Sequence, residues 1–237
     1  MKDIRNIVIL TGAGVSAESG IDTFRSEGGL WEQHRVEDVA TPEAFMRDPD
    51  LVLRFYDMRR EAIQTKQPNA AHHALARLDA EWPGDLLIVT QNVDDLHERA
   101  GARRVLHMHG EHLLAWCTAC DVRSLWVGAL LQRPACPACG EKALRPDVVW
   151  FGEMPYRMEE IYEALRKADL FVSIGTSGAV YPAAGFVRQA RQLGVATLEL
   201  NLGPSQGTLW FEEARHGPAT ELVPAWVDQV LAAIGEG

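Results

Sequence analysis

The sequence predicts an α/β protein: a parallel sheet with helices on both faces, joined to a smaller lobe built from two inserts. Three observations support that class. Short apolar runs alternate with amphipathic helical patterns, as parallel strands joined by crossover helices require. Most of the runs end in glycine-rich or polar turns. Two stretches, 28–68 and 111–144, break the alternation, the first with helical material and no strand pattern, the second with all four cysteines of the chain. The sheet domain is therefore assigned to 1–27, 69–110 and 145–237. The smaller lobe combines a helical insert, 28–68, with a metal-binding insert, 111–144.

In chain order the strand runs are 7–10, 86–90, 105–107, 148–150, 170–174 and 196–200, each a short apolar stretch. A helix over 70–81 starts after Asn69, a favoured N-cap residue. A second, 183–193, stops at Gly194. A third, 224–234, opens on Pro224 and puts Trp226, Val227, Val230, Leu231 and Ile234 on one face. Such a sheet is Rossmann-like, and its ligand crevice lies outside the carboxyl ends of the strands. There the chain places Gly12-Ala13-Gly14 after the first run, Gln91-Asn92-Val93-Asp94 after the second and His109-Gly110 after the third. Gly175-Thr176-Ser177 follows the fifth and Asn201 the sixth, so five loops are expected to converge on one site.

At 237 residues, 47 % of them hydrophobic, the chain can bury a full core. No apolar run approaches the length of a bilayer span, so no membrane partner is expected. Asp+Glu 33 against Lys+Arg 23 gives a formal charge of −10, which opposes a nucleic-acid backbone. The tight basic pairs Arg59-Arg60 and Arg103-Arg104 make no stripe, and nucleic acid is excluded as a partner. A monomer is expected. The chain opens on a strand pattern where a secretory leader would need an apolar run and a small-residue cleavage site, which points to the cytoplasm.

Cys117-x2-Cys120 and Cys136-x2-Cys139 have the spacing of a tetrahedral zinc site. With four thiolates in use such a site has no open position for substrate, so one structural Zn2+ is expected and the chemistry lies elsewhere. Two disulfides would use the same residues, but a reducing compartment disfavours them.

Gly12-Ala13-Gly14-Val15-Ser16 runs off a strand into a helix, where glycines let backbone N–H groups approach a pyrophosphate and the helix N-terminus adds partial positive charge. An ordinary structural turn would look similar. The loop departs from the dehydrogenase fingerprint: Ser19 stands near the third glycine's place, and no second strand ends in an acidic residue about 20 positions on. Among eight histidines, His109 follows a strand end and precedes a glycine, which suits a general base. His107 belongs within the strand, and His97 and His112 read as supporting or surface groups. Asp94 could serve a ligand, cap the helix that follows, or do both.

Taken in register, the stretch from Gly12 to Arg25, then Thr90-Gln91-Asn92-Val93-Asp94, His109-Gly110, the four cysteines, Val149-Trp150-Phe151-Gly152-Glu153 and Gly175-Thr176-Ser177 resemble the sirtuin family of NAD-dependent protein-lysine deacylases. The resemblance runs from Leu10 to Gly217-Pro218-Ala219, and Asp22 departs from it where many sirtuins carry proline. It implies that NAD is a co-substrate: the acyl-lysine carbonyl oxygen attacks the nicotinamide ribose, nicotinamide leaves, and a ribose hydroxyl attacks the alkylimidate. Free lysine and O-acyl-ADP-ribose result. It makes His109 the base and gives Asn92 and Asp94 the ribose and the nicotinamide carboxamide. It sets NAD against Gly12, Ala13, Gly14, Ser16 and Ala17 of the first loop, and against Phe24, Arg25 and Trp31 of the segment after it. Further along, Gln91 and Val93, then Gly175, Thr176 and Ser177, then Asn201, Leu202, Gly203 and Ala219 complete the implied NAD contacts. Phe24 would shield the site that nicotinamide leaves. Val149, Phe151 and Gly152 would meet the acyl-lysine of a protein substrate.

One further pattern concerns the acyl group. At helical spacing Val52, Tyr56, Arg59 and Ile63 share a face. By itself, an arginine in such a stripe reads as a side chain that reaches water or pairs with an acid. Sirtuins that remove succinyl and malonyl groups, including bacterial class III members, resemble this chain in a Tyr-x-x-Arg element, here Tyr56 and Arg59, with a small residue upstream, here Ala40. The resemblance implies desuccinylase and demalonylase activity with weaker deacetylase activity. Two other readings use the same residues: mono-ADP-ribosyl transfer to protein, and an NAD-sensing module without turnover.

Overall fold

The computed structural model describes residues 4–22, 30–31 and 34–235. In chain order its strands are β1 (Asn6–Thr11), the pair β2 (Leu30–Trp31) and β3 (His34–Arg35), β4 (Asp85–Thr90), β5 (Val105–His107) and β6 (Gly110–Cys117). They continue with β7 (Arg123–Leu125), β8 (Leu144–Val148), β9 (Leu170–Ile174), β10 (Ala196–Asn201) and β11 (Glu213–His216). Six of these form a parallel sheet in the order β11-β10-β9-β1-β4-β5.

Side chains alternate across a strand, and in β1 both faces are apolar. Ile7 and Ile9 join the core under the helices Ala70–Glu81 and Ala219–Gly235, while Val8 and Leu10 join the core under Met158–Lys167 and Phe186–Gln192. The first of these helices starts as expected. Asn69 Oδ1 accepts from the Ala71 and His72 amides, and His72 Nδ1 accepts in return from the Asn69 amide, a reciprocal cap.

Four expectations need correction. The run 148–150 is not a strand of the parallel sheet: β8 pairs antiparallel with β6 in a separate sheet ordered β7-β6-β8. Its apolar residues Val148 and Trp150 are buried against Val39, Val52, Phe55 and Tyr56, so their hydrophobicity serves the smaller lobe. The sixth parallel strand, β11, carries Glu-Ala-Arg-His, and as an edge strand it needs no apolar pattern. The helix expected from Pro224 begins at Ala219, with Pro224 inside it and the preceding Val223 fully buried. The helix expected over 183–193 is a 3-10 turn, Ala183–Gly185, followed by Phe186–Gln192. The first insert also holds the short β2–β3 pair. Among the described residues no helix is long and apolar enough to cross a membrane.

The helix Pro49–Gln64 joins the two inserts. Tyr56 and Phe55 pack toward Trp150, and Leu53 packs on Leu130, Cys117 and Cys136. Buried Arg60 donates to Asp57 at 2.7 Å and to the His112 carbonyl at 2.7 Å, while Asp57 accepts from the Leu130 and Leu131 amides. The pair fixes the cysteine-bearing segment to the helix, while Arg60 Nη2 stays buried without a hydrogen-bond partner among the described residues.

Candidate active site and metal centre

A cavity of about 590 Å³ opens at the carboxyl ends of β1, β4, β9 and β10 and is closed on one side by the smaller lobe. Its wall takes in Gly12, Ala13, Gly14, Ser16 and Ala17; Gln91, Asn92, Val93 and Asp94; His109; Gly175, Thr176 and Ser177; and Asn201, Leu202 and Ala219. Ala40, Tyr56, Arg59, Val149, Phe151 and Gly152 line the same space. The loops expected to converge therefore do so. Gly203 is not in the wall. Phe24 and Arg25 lie outside the described residues, and so does the Trp31 side chain.

The glycines of the first loop have a different reason from the one the sequence suggests. Gly12 and Gly14 donate their N–H groups to the Ile174 and Gly175 carbonyls, so those amides are occupied. A Cβ on Gly14 would sit 2.7 Å from the Gly175 Cα, and one on Gly175, whose φ is +62°, 2.5 Å from the Val15 nitrogen. Two backbones touch here, and glycine is the residue that permits it. Ala13, which lines the cavity, is the first residue of the helix Ala13–Ala17, so its amide has no helix carbonyl to bond.

Ser16 is the hub of a buried network rather than an open hydroxyl. It accepts from Asn92 Nδ2 at 3.1 Å and donates to Asp94 Oδ2 at 3.1 Å. His72 Nε2 lies 3.3 Å away; because His72 Nδ1 is an acceptor, Nε2 carries the proton and donates to Ser16. With two bonds accepted and one donated, the hydroxyl is saturated. Burial pushes the His72 imidazole down to about 4, so it stays neutral. Asn92 also donates to the Gly12 carbonyl at 3.2 Å, which leaves its Oδ1 as the atom able to accept from a ligand. Asp94 Oδ1 caps the Leu96 amide at 3.1 Å while the residue lines the cavity, so cap and wall coincide. Burial raises the Asp94 carboxyl, against the Leu96 and Ser16 hydrogen bonds.

His109 Nδ1 is 3.1 Å from the Gln91 carbonyl, which can only accept. The proton is therefore on Nδ1, and Nε2 keeps a lone pair, the form a general base needs. Burial depresses this imidazole, opposed in part by the Gln91 bond, and keeps it neutral below the usual histidine range. His97 and His112 are both fully buried, not surface groups, and burial holds each well below its ordinary value. His97 donates to Thr11 Oγ1 at 3.0 Å, behind the wall.

At the other end Tyr56 is fully buried, and its hydroxyl accepts from Trp150 Nε1 at 2.9 Å. That bond leaves the phenolic proton to donate, and burial keeps the phenol protonated. Trp150 is itself clamped: the Arg145 guanidinium lies 3.4 Å from its ring centroid and is held by Glu153 through two bonds. Trp150, Glu153, Ile63, Ile21 and Tyr181 join the wall without having been singled out from the sequence as ligand contacts. His72 was missed altogether, because only tertiary packing brings it to Ser16.

The profile of the Sir2 family matches residues 12–182, well over half of the chain. The chain belongs to the Sir2 family. A relative named NAD-dependent protein deacylase, from Vibrio parahaemolyticus serotype O3:K6, is 56 % identical over 231 residues, 96 % of this chain and 96 % of that protein. Another of that name, from Caulobacter vibrioides, is 52 % identical over 238 residues, 99 % of this chain and all of the other. A solved complex of a Sir2 homologue with NAD superposes with a TM-score of 0.90 at 40 % identity, covering 98 % of this chain and 91 % of that one.

In this Sir2-family chain the four cysteine sulfurs lie within 4.8 Å of one another. Cys117 and Cys139 approach to 3.7 Å, and Cys120 and Cys136 to 3.8 Å. A tetrahedron of sulfurs at the usual zinc distance has edges of about 3.8 Å, whereas a disulfide needs about 2 Å. The donor set fits Zn2+ with no position left for substrate. We expect Cys136→Ser to lower the melting temperature by more than 10 °C or to give insoluble protein, since structural zinc binding is folding free energy; an equally stable, metal-free mutant would remove the assignment.

Proposed function

We propose that this protein is an NAD-dependent protein-lysine deacylase whose acyl pocket selects acidic acyl groups, succinyl and malonyl, over acetyl. The deacylase level rests on family membership and on full-length relatives of that name. The acyl preference rests on one observation: among the described residues of the cavity wall, Arg59 is the only arginine or lysine, and it stands beside Tyr56 in the wall that Ala40 shares. Its neighbour Arg60 is neutralised by Asp57 in the core, so the two arginines of the pair have different surroundings.

NAD supplies the electrophilic ribose carbon that accepts the acyl oxygen, with nicotinamide as leaving group. Asn92 Oδ1 and the Asp94 carboxylate would meet its ribose and carboxamide, and the Ala13 amide at the head of its short helix would face a phosphate. His109 Nε2 would take the proton of a ribose hydroxyl. The lysine amine leaves the acyl carbon after that hydroxyl attacks, one water adds to the acyl carbon left on the ribose, and the products are nicotinamide, free lysine and O-acyl-ADP-ribose. A distal carboxylate on the acyl group would accept from the Arg59 guanidinium and the Tyr56 hydroxyl, both removed from bulk water. Acetyl-lysine lacks that carboxylate and would forgo both bonds. Thiolate ligands to zinc suit a reducing compartment, as the cytoplasm is.

The test is nicotinamide release from one peptide carrying succinyl-, malonyl- or acetyl-lysine, with a peptide-free control. We expect succinyl and malonyl peptides to exceed acetyl by about a hundredfold in kcat/KM, the effect of a desolvated ion pair of about 3 kcal/mol. Equal or acetyl-favoured turnover would return Arg59 to a structural role. Release independent of peptide would favour another NAD-cleaving activity.

A further inference from the structure

His107, the last residue of β5, and His109, in the turn to β6, grip consecutive carbonyls of the loop that carries Asn92 and Asp94. His109 Nδ1 reaches Gln91, and His107 Nδ1 reaches the Asn92 carbonyl at 3.1 Å. On its other side His107 Nε2 lies 2.8 Å from Glu98 Oε1. Both partners are acceptors, so both ring nitrogens donate and the imidazole is the doubly protonated cation. Its side chain is 8 % exposed, while Glu98 is 40 % exposed. His109, in contrast, has one acceptor and stays neutral. The two rings, two residues apart at the end of β5, stand in opposite protonation states, for different tasks.

We propose that His107, held by Glu98, is a positioning residue that seats the Asn92–Asp94 loop through the Asn92 carbonyl and makes that seating pH-dependent. The inference rests on the deacylase reading only for its kinetic consequence. As pH rises, neutral His107 keeps one N–H. The bond to the Glu98 carboxylate is charge-assisted and shorter than the bond to a neutral carbonyl, so it is retained and the Asn92 carbonyl loses its donor. Asn92 bonds Ser16 and the Gly12 carbonyl through its side chain, so a shift of its backbone is passed to the wall of the cavity.

The charged surroundings favour the cation. From the helix Leu96–Arg99 come Glu98 and the neutral, buried His97; from β6 comes Glu111; from the loop itself comes Asp94. Burial opposes the charge on His107, but the Glu98 bond and charge, Glu111 and the Asn92 carbonyl outweigh it and hold the group above its ordinary value.

Two variants test the assignment, His107→Gln and Glu98→Gln, the second at a half-exposed position that does not threaten the fold. In wild type, kcat/KM for NAD should fall severalfold on the alkaline side, as pH rises through a His107 value held above the ordinary histidine value of about 6.5, with the change in KM rather than kcat. Glu98→Gln should move that limb to lower pH and His107→Gln should abolish it, with KM for NAD raised throughout; the acid limb, which belongs to His109, should be common to all three. An alkaline limb identical in the three proteins would overturn the proposal. A readout independent of turnover is NMR of ligand-free, 15N-labelled protein. The Val93 amide, which follows the gripped carbonyl, should titrate together with the His107 ring in wild type and cease to do so in His107→Gln. A Val93 signal indifferent to His107 would overturn the proposal even if the protein deacylates. Coupled titration in a protein that turns over no acyl peptide would uphold it and sink the deacylase reading alone.

Discussion

His109→Ala should lower the formation of deacylated peptide by about 10²–10⁴-fold, the range that a positioned general base contributes. The variant should still fold and bind NAD, because among the described residues the imidazole makes one hydrogen bond, to the Gln91 carbonyl, and lies at the cavity wall rather than within a core cluster. Rapid-quench measurement of free-lysine peptide beside NAD calorimetry separates the two; residual turnover within tenfold of wild type would remove His109 as the base. Its pH dependence follows from the same burial. The base works when neutral, and burial lowers its affinity for the second proton. Activity should therefore persist as pH falls through the ordinary histidine value of about 6.5, with the acid limb below it. A limb at or above that value would assign the titration to another group.

Arg59→Met should cut kcat/KM on succinyl-lysine peptide by about a hundredfold or more while sparing the acetyl peptide. Removing one partner of a desolvated ion pair costs about 3–5 kcal/mol, because the remaining carboxylate is left in a low-dielectric wall. Methionine keeps much of the side-chain length and adds no charge, so the helix Pro49–Gln64 should retain its packing, which a melting curve can confirm. Parallel losses on both substrates would mean that Arg59 supports the wall and does not read the acyl group.

The parallel sheet was legible because its inner strands are apolar on both faces, as in β1, where Ile7 and Ile9 enter one core and Val8 and Leu10 the other. Legibility failed where hydrophobicity and partner choice separate. The run ending in Trp150 is as apolar as a sheet strand, yet its partners are Tyr56 and Phe45 of the smaller lobe. β11 has no apolar signature, since an edge strand is held by backbone bonds on one side only.

The site divides in the same way. Residue type, order and spacing alone determined the cysteine pairs, the loops that would meet, His109 as the histidine after a strand, and the Tyr56–Arg59 face. Those are local facts, set by strand and helix periodicity and by what each side chain can donate, accept or ligate. Tertiary structure decided which groups remain available. It saturates Ser16 between Asn92, His72 and Asp94, turns Gly12 and Gly14 to backbone contact with Gly175, and separates two adjacent arginines into a core pair and a cavity wall. It also gives His107 and His109 opposite protonation states. Availability depends on partners distant in the chain, and a hydrogen-bonding group is defined for chemistry by the bonds it has not already made.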